Sequence, residues 1–275
     1  MCAVSADRVH RRYPWPLMEL LVLGCHAGMP ASGRASSGYL VAAGGCHILL
    51  DCGPGVAAAL TAHGGAGGLD AIVVTHLHPD HCYDLLPIGI MLRRTARPAP
   101  LPLYVPRGGR ALLHELGGLF PLGPDPRQDI PFHHAFTVQE YLPGQVIHIG
   151  DCTLSMYGLR HVVANCGIRV QSGPDTMAYT GDTGLASALL ELAGDADLLL
   201  AEATLASTDT TGWGHLCATD AARVAAAAGV GQLVLTHLGS ADPQWAQARK
   251  TDATRVFPGP VHLARPGARY PVRRP

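Results

Sequence analysis

Directly after the apolar run AIVV, the chain reads THLHPDHCYD, which brings His76, His78, Asp80 and His81 within six residues. Ligand-type side chains this close together do not fit an ordinary core, because each buried one would need its own hydrogen-bond partner. At a strand-to-loop exit alternate residues point the same way, so His76 and His78 can meet one ion while Asp80 and His81 turn toward a second. Three more positions share the style, each at the end of a strand signal: His161 after TLSMYGLR, Asp182 in AYTGDTG, and His237 closing LVLTH. Alone, each would read as a surface or hydrogen-bonded residue. With the cluster they complete a ligand set for two zinc-like ions sharing one carboxylate.

The rest of the composition narrows what such a site can serve. With 275 residues the chain is long enough for one large domain and too short for two full-sized ones. Net charge is −1, but the ends are basic (Arg8, Arg11 and Arg12; Arg265, Arg269, Arg273 and Arg274) and the body between them is acidic. That is a poor surface for a long phosphate backbone, which is bound through several Lys or Arg contacts. The expected partner is therefore a small-molecule substrate and not a nucleic-acid polymer. Eight cysteines without a CxxC pair read as free thiols of a reducing cytoplasm. No apolar run is long enough to span a membrane, and the N-terminus lacks a signal-peptide core, so the expected location is cytoplasmic.

Along the chain, strands are expected at 18–24, 39–43, 47–51, 71–76, 146–149, 153–159, 166–171, 177–180, 197–201 and 232–236. Helices are expected at 56–63, 185–193, 217–228 and 243–249. His76 opens a polar loop, and the Pro- and Gly-rich stretch 97–131 holds one strand (LPLYV) and one helix (109–116). That stretch is expected to wall the pocket or form a homodimer contact. Hairpins first and an αβαβα alternation last fit an α/β (α+β) arrangement of mixed sheets flanked by helices better than a doubly wound parallel sheet. The expected division is a basic tail 1–17, a single domain 18–263 and a basic tail 264–275.

HxHxDH followed by a distant His, Asp and His resembles the metallo-β-lactamase-fold superfamily over about residues 18–263. The finer likeness is to its tRNase Z and cyclic nucleotide phosphodiesterase branch. It is carried by GCHAGMPASGRASSGYL, LLDCGPG, TGDTG, ADLLLAEATLA and GHLCATDAARVAAAAGVGQLVLTHLGS. The resemblance implies an αββα sandwich, two mixed sheets flanked by helices with the metals at one edge. It implies two Zn2+ ions, with Mn2+ or Fe2+ as alternatives. Metal 1 would take His76, His78 and His161; metal 2 would take Asp80, His81 and His237; Asp182 would bridge. Asp51 would orient a ligand imidazole. The catalytic residues would be Asp80 and His215, the latter held by Glu202 and protonating a leaving alkoxide. His26, Ser36 and Ser37 of the glycine loop would touch substrate.

Two departures matter. Where the branch has Ser-Thr after its catalytic His, this chain has Leu216 and Cys217, which lack hydroxyls for a phosphate. The tRNase Z arm lies between the ligands matching His161 and Asp182, and only 20 residues intervene here. The expected function is hydrolysis of a small phosphodiester such as a cyclic nucleotide. The alternative is a carbonyl substrate (lactone, thioester or β-lactam), and tRNA 3′-end cleavage fits less well. His10, His47, His63, His114, His133, His134, His148 and His262 are read as ordinary surface or hydrogen-bonded residues.

Overall fold

A computed structural model describes residues 18–95, 97–122, 132 and 134–274. The expected N-terminal tail with His10, residues 123–131 of the Pro-rich stretch, and His133 lie outside the described residues. The first sheet collects β1 (Glu19–Gly24), β2 (Gly38–Ala43), β3 (Cys46–Leu50), β4 (Ala71–Val73), β5 (Leu101–Pro106) and β6 (Phe136–Tyr141). The second collects β7 (Val146–Ile149), β8 (Cys152–Leu159), β9 (Asn165–Ser172), β10 (Asp175–Tyr179), β11 (Leu198–Ala203), β12 (Gln232–Leu238) and β13 (Val261–Leu263). One further strand, β14 (Arg269–Pro271), returns to the first sheet, giving the orders β14-β1-β2-β3-β4-β5-β6 and β13-β12-β11-β10-β9-β8-β7.

Both sheets mix parallel and antiparallel pairs. Their central strands are buried on both faces, the pattern of sheets covered on each side. Leu20 and Val22 of β1 meet Leu198 and Leu200 of β11 in the layer between the sheets. Leu21 and Leu23 face the other way, with Val56 and Leu60 of α1 (Val56–Thr61), Leu85 and Ile88 of α3 (Leu85–Arg93) and Leu113 of α4 (Gly109–Gly118). Leu199 and Ala201 pack with Leu189 of α5 (Ala188–Ala193), Ala221 of α6 (Ala218–Ala227) and Ala246 of α7 (Pro243–Thr254). The layers run helix, sheet, sheet, helix. Among the described residues no helix is long and apolar enough to cross a membrane, and the seven described cysteines are all free thiols.

Three expectations change. The C-terminal segment is not a free tail, since β14 pairs with β1 and Arg269 meets Glu19 at 2.8 Å; its charge and Pro271 are marks of an edge strand. The strand expected to reach His76 ends at Val73, and the loop after it turns helical at once, as α2 (Pro79–Cys82) and α3. Pro87 and Gly89 hide α3 in the sequence, but Pro87 lies in the first turn, where its missing N–H costs nothing. As expected, the Pro-rich stretch supplies one strand, β5, and one helix, α4, with Leu113 buried against the outer face of the first sheet.

Candidate metal centre

Five strand ends feed one edge of the sandwich: β4 leads to His76 and His78, β8 to His161, β10 to Asp182, and β11 and β12 carry Glu202 and His237. The β11–β12 register slips at Glu202/Ala203, so His237 bulges from its ladder with φ 47. A bulge re-aims a side chain. Asp51, immediately after β3, also has a left-handed backbone, with φ 57. Strain of this kind persists only where surrounding contacts impose it.

The side chains expected to act together do converge. His76, His78, His161 and Asp182 present ligand atoms all within 4.8 Å of one another, as do Asp80, His81, Asp182 and His237, so Asp182 belongs to both groups. Glu202, His215 and His237 form a third.

Hydrogen bonds behind the imidazoles decide which nitrogen faces inward. Asp51, fully buried, accepts from the Thr75 amide (2.7 Å), the Thr75 hydroxyl (2.9 Å), the Tyr179 hydroxyl (2.7 Å) and His81 Nδ1 (2.7 Å). Because the Thr75 hydroxyl donates to Asp51, it accepts from His76 Nδ1 at 3.1 Å. Thr204 repeats the device, donating to Glu202 and accepting from His237 Nδ1 at 2.7 Å. His161 Nδ1 donates to the Gly214 carbonyl at 2.9 Å. In all four the proton is held on Nδ1 and the Nε2 lone pair points inward, the tautomer a metal ligand needs.

The inward atoms then sit too close for anything but a shared cation or shared protons. His76 Nε2 and His161 Nε2 lie 3.0 Å and 3.2 Å from His78 Nδ1, and His81 Nε2 lies 3.3 Å from His237 Nε2. Asp182 Oδ1 is buried without a hydrogen bond, although His81 Nε2 and His237 Nε2 stand 3.3 Å and 3.4 Å away. An orphaned carboxylate oxygen ringed by imidazole nitrogens fits a bridging ligand. Burial, with the neighbouring His81, pushes His76 well below the usual imidazole range, and burial also lowers His78 and His161. Burial alone would raise Asp182, yet His237 and His81 hold its carboxyl well below the ordinary range. Burial alone would lower His81, yet Asp182 and Asp51 hold it well above. Neutral His76, His78 and His161 beside ionised Asp182 are donors a divalent cation takes, and a cation would displace the Nε2 proton of His81.

Asp80 Oδ2 accepts from the Gly28 amide at 2.8 Å and lies 3.2 Å from His237 Nε2. The glycine loop therefore touches the centre, and His26 pairs with Leu238 beside the His237 bulge. Ser36 and Ser37 are different: both are fully buried, and the Ser36 hydroxyl donates to the Gly28 carbonyl. The Ser37 hydroxyl is buried without a hydrogen-bond partner among the described residues. His215, half-buried, holds Nδ1 3.1 Å and 3.2 Å from the two Glu202 oxygens and 4.0 Å from Asp182 Oδ2. Burial lowers its pKa, but the hydrogen bond and charge of Glu202, together with the charges of Asp182 and Asp209, more than offset this and leave it raised.

Thr75, Thr204, Gly214 and Asn165, whose amide donates to the Asp182 carbonyl at 2.7 Å, have roles the sequence reading did not assign. Thr75 and Thr204 stand one and two residues from His76 and Glu202, and that adjacency was the available signal.

Residues 47–238 match the family model described as beta-lactamase superfamily domain. Over 259 residues the chain is 31% identical to the probable metallo-hydrolase YhfI of Bacillus subtilis (strain 168), covering 91% of this chain and 98% of that protein. The YhfI crystal structure, described as a metallo-beta-lactamase fold protein, superposes with a TM-score of 0.82 at 28% identity, covering 93% of this chain and 99% of that one. A ribonuclease Z of Mycolicibacterium paratuberculosis (strain ATCC BAA-968 / K-10) is 31% identical over 275 residues, covering 90% of this chain and 95% of that protein.

Proposed function

The chain belongs to the beta-lactamase superfamily, among metal-dependent hydrolases, and from that premise we propose that it is a dinuclear phosphodiesterase of a small substrate such as a cyclic nucleotide. His76, His78 and His161 would hold one ion, Asp80, His81 and His237 the other, with Asp182 between them. Nitrogen and carboxylate donors suit Zn2+, with Mn2+ or Fe2+ as alternatives. When bound, such a pair supplies Lewis acidity toward a phosphoryl oxygen and an activated water.

The observation that carries the phosphodiester reading is His215 on Glu202. Glu202 receives Nδ1–H, which leaves Nε2 as the atom that can hand a proton to a departing alkoxide. A thioester, whose leaving group is a stable thiolate, has no comparable need for this pair. A second reading, a lactone, thioester or β-lactam substrate, is supported by the apolar side chains exposed beside the ligand segments, Val162, Leu185 and Trp213, and by buried Leu216 and Cys217 where hydroxyls are expected. A pre-tRNA substrate is disfavoured because the stretch between His161 and Asp182 is the tight β9–β10 hairpin, with no protruding arm.

The test is metal analysis of Zn2+-loaded protein followed by assays on bis-p-nitrophenyl phosphate, cyclic AMP, a lactone and nitrocefin. Diesterase turnover is the expected result. Its absence from metal-loaded protein overturns the phosphodiester reading, and lactone or nitrocefin turnover in its place establishes the second.

A further inference from the structure

Between β11 and α6 the chain carries a carboxylate that neither ligand group uses. Asp209 Oδ1 accepts from the Thr211 amide (2.7 Å), the Thr211 hydroxyl (2.7 Å) and the Gly212 amide (3.1 Å), and Oδ2 accepts from the Gly214 amide at 2.9 Å. The Arg160 guanidinium stands 3.5 Å from Oδ2. Only 2% of the Asp209 side chain is exposed, although Trp213 on the same loop is 64% exposed. These donors, the Thr211 hydroxyl first, hold the carboxyl well below the usual range.

Gly214 links this carboxylate to the metal centre. Its amide is held by Asp209 Oδ2, its φ is 84, and its carbonyl receives His161 Nδ1–H at 2.9 Å. The two peptide units on either side of one α-carbon are thus pinned by different partners. The approach is close: a Cβ at Gly214 would lie 2.8 Å from the His161 Cα. His76 and His81 take their orientation from Asp51, and His237 from Glu202 through Thr204. His161 alone among these four leans on a backbone carbonyl, and a carbonyl in a surface loop aims an imidazole only if the loop itself is fixed.

We propose that Asp209 is a positioning residue: by clamping the Gly214 peptide it sets the tautomer and aim of His161 and the placement of the adjacent His215. The proposal rests on the metal-hydrolase reading above. It makes the loop 206–215 part of the first ion's binding site, although no side chain of that loop before His215 reaches the ligands.

The experiment is calorimetric titration of metal-free protein with Zn2+, together with 1H–15N spectra of the histidine ring protons. Wild type is expected to show two binding events and a protected His161 Nδ1–H signal. Asp209→Ala should weaken one event about 10-fold or more, the usual cost of losing an outer partner of a metal ligand. The second event should stay near its wild-type affinity, and the His161 signal should be lost. Thr211→Val removes a hydroxyl from the same carboxylate but spares the Gly214 bond, so it should leave both events and the signal in place. Should the alanine variant not fold, Asp209→Asn, with one acceptor oxygen for three amides, should weaken the same event by a smaller factor. Unchanged affinities in the Asp209 variants, or an equal loss in Thr211→Val, overturn the clamp. Wild-type protein that takes up no Zn2+ overturns the metal reading itself, a result separable from the first two.

Discussion

Asp51 and Glu202 are two buried carboxylates on opposite sheets, and they are built alike. Each follows or ends an apolar strand, each takes a backbone amide (Thr75 for Asp51, Thr183 for Glu202), and each reaches a ligand imidazole through a threonine hydroxyl. They differ in what else they hold. Asp51 spends its remaining capacity on His81 and Tyr179, both fully buried. Glu202 spends it on His215, which is half-buried and belongs to neither group of ligands sharing Asp182. One carboxylate organises donors only; the other also supports a group able to move a proton. Burial pushes the Glu202 carboxyl up in pKa, and its hydrogen bond to His215 opposes that shift.

Asp51→Asn breaks the comparison most severely. An amide offers one acceptor oxygen and two donors to a niche in which four donors converge. Each donor left without a partner costs about 1–3 kcal/mol, and the metal-free protein should melt several degrees lower, at about 2–4 °C per kcal/mol for a chain of this size. Zn2+ affinity should fall about 10- to 100-fold as His76 and His81 lose their orientation. Thermal melts and titration of the metal-free protein check both. A wild-type melting temperature would show that Asp51 is not the organising carboxylate of the first sheet.

His215→Ala tests the other side. Turnover of a phosphodiester should drop about 10²- to 10⁴-fold, the usual worth of a positioned general acid, while both ions stay bound in metal analysis. Metal lost in step with activity would make His215 a ligand and remove the proposed distinction. Glu202→Gln should fall between, because the amide oxygen can still take Nδ1–H. A loss of about 10- to 100-fold in turnover is expected, with weakening of the ion next to His237 measured by titration.

The ligand groups were legible because chemistry and topology coincide: the cluster 76–81 is contiguous, and His161, Asp182 and His237 close strand signals. The hubs were half legible. Asp51 and Glu202 could be named from the resemblance, but their threonine relays join residues such as Thr204 and His237 that only the β11–β12 pairing brings together. Similarly, β14 reads as a basic tail because an edge strand of three residues carries charge and proline where a central strand carries apolar side chains. β6 escaped notice because half of its side chains, Thr137, Gln139 and Glu140, face solvent. Ser36 and Ser37 could be named only from the resemblance, and their burial, with the Ser36 hydroxyl on the Gly28 carbonyl, depends on a fold the loop sequence does not show.

The finest test compares the relays themselves. Thr75→Val and Thr204→Val are near-isosteric, so neither opens a cavity. Each deletes one hydroxyl that donates to a hub and accepts from a ligand Nδ1–H. The Thr75 amide still reaches Asp51 in the first variant, and the Thr183 amide still reaches Glu202 in the second. Each ligand imidazole then has an unpaired Nδ1–H, worth about 1–3 kcal/mol. If the relays are equivalent, Zn2+ affinity should fall by similar, modest factors in both variants. Turnover of fully loaded protein should separate them, since Thr204→Val also frees a Glu202 oxygen to bind His215 more closely, whereas nothing catalytic adjoins Asp51. Equal turnover at saturating Zn2+ would mean that Glu202 positions His215 independently of its bond to Thr204.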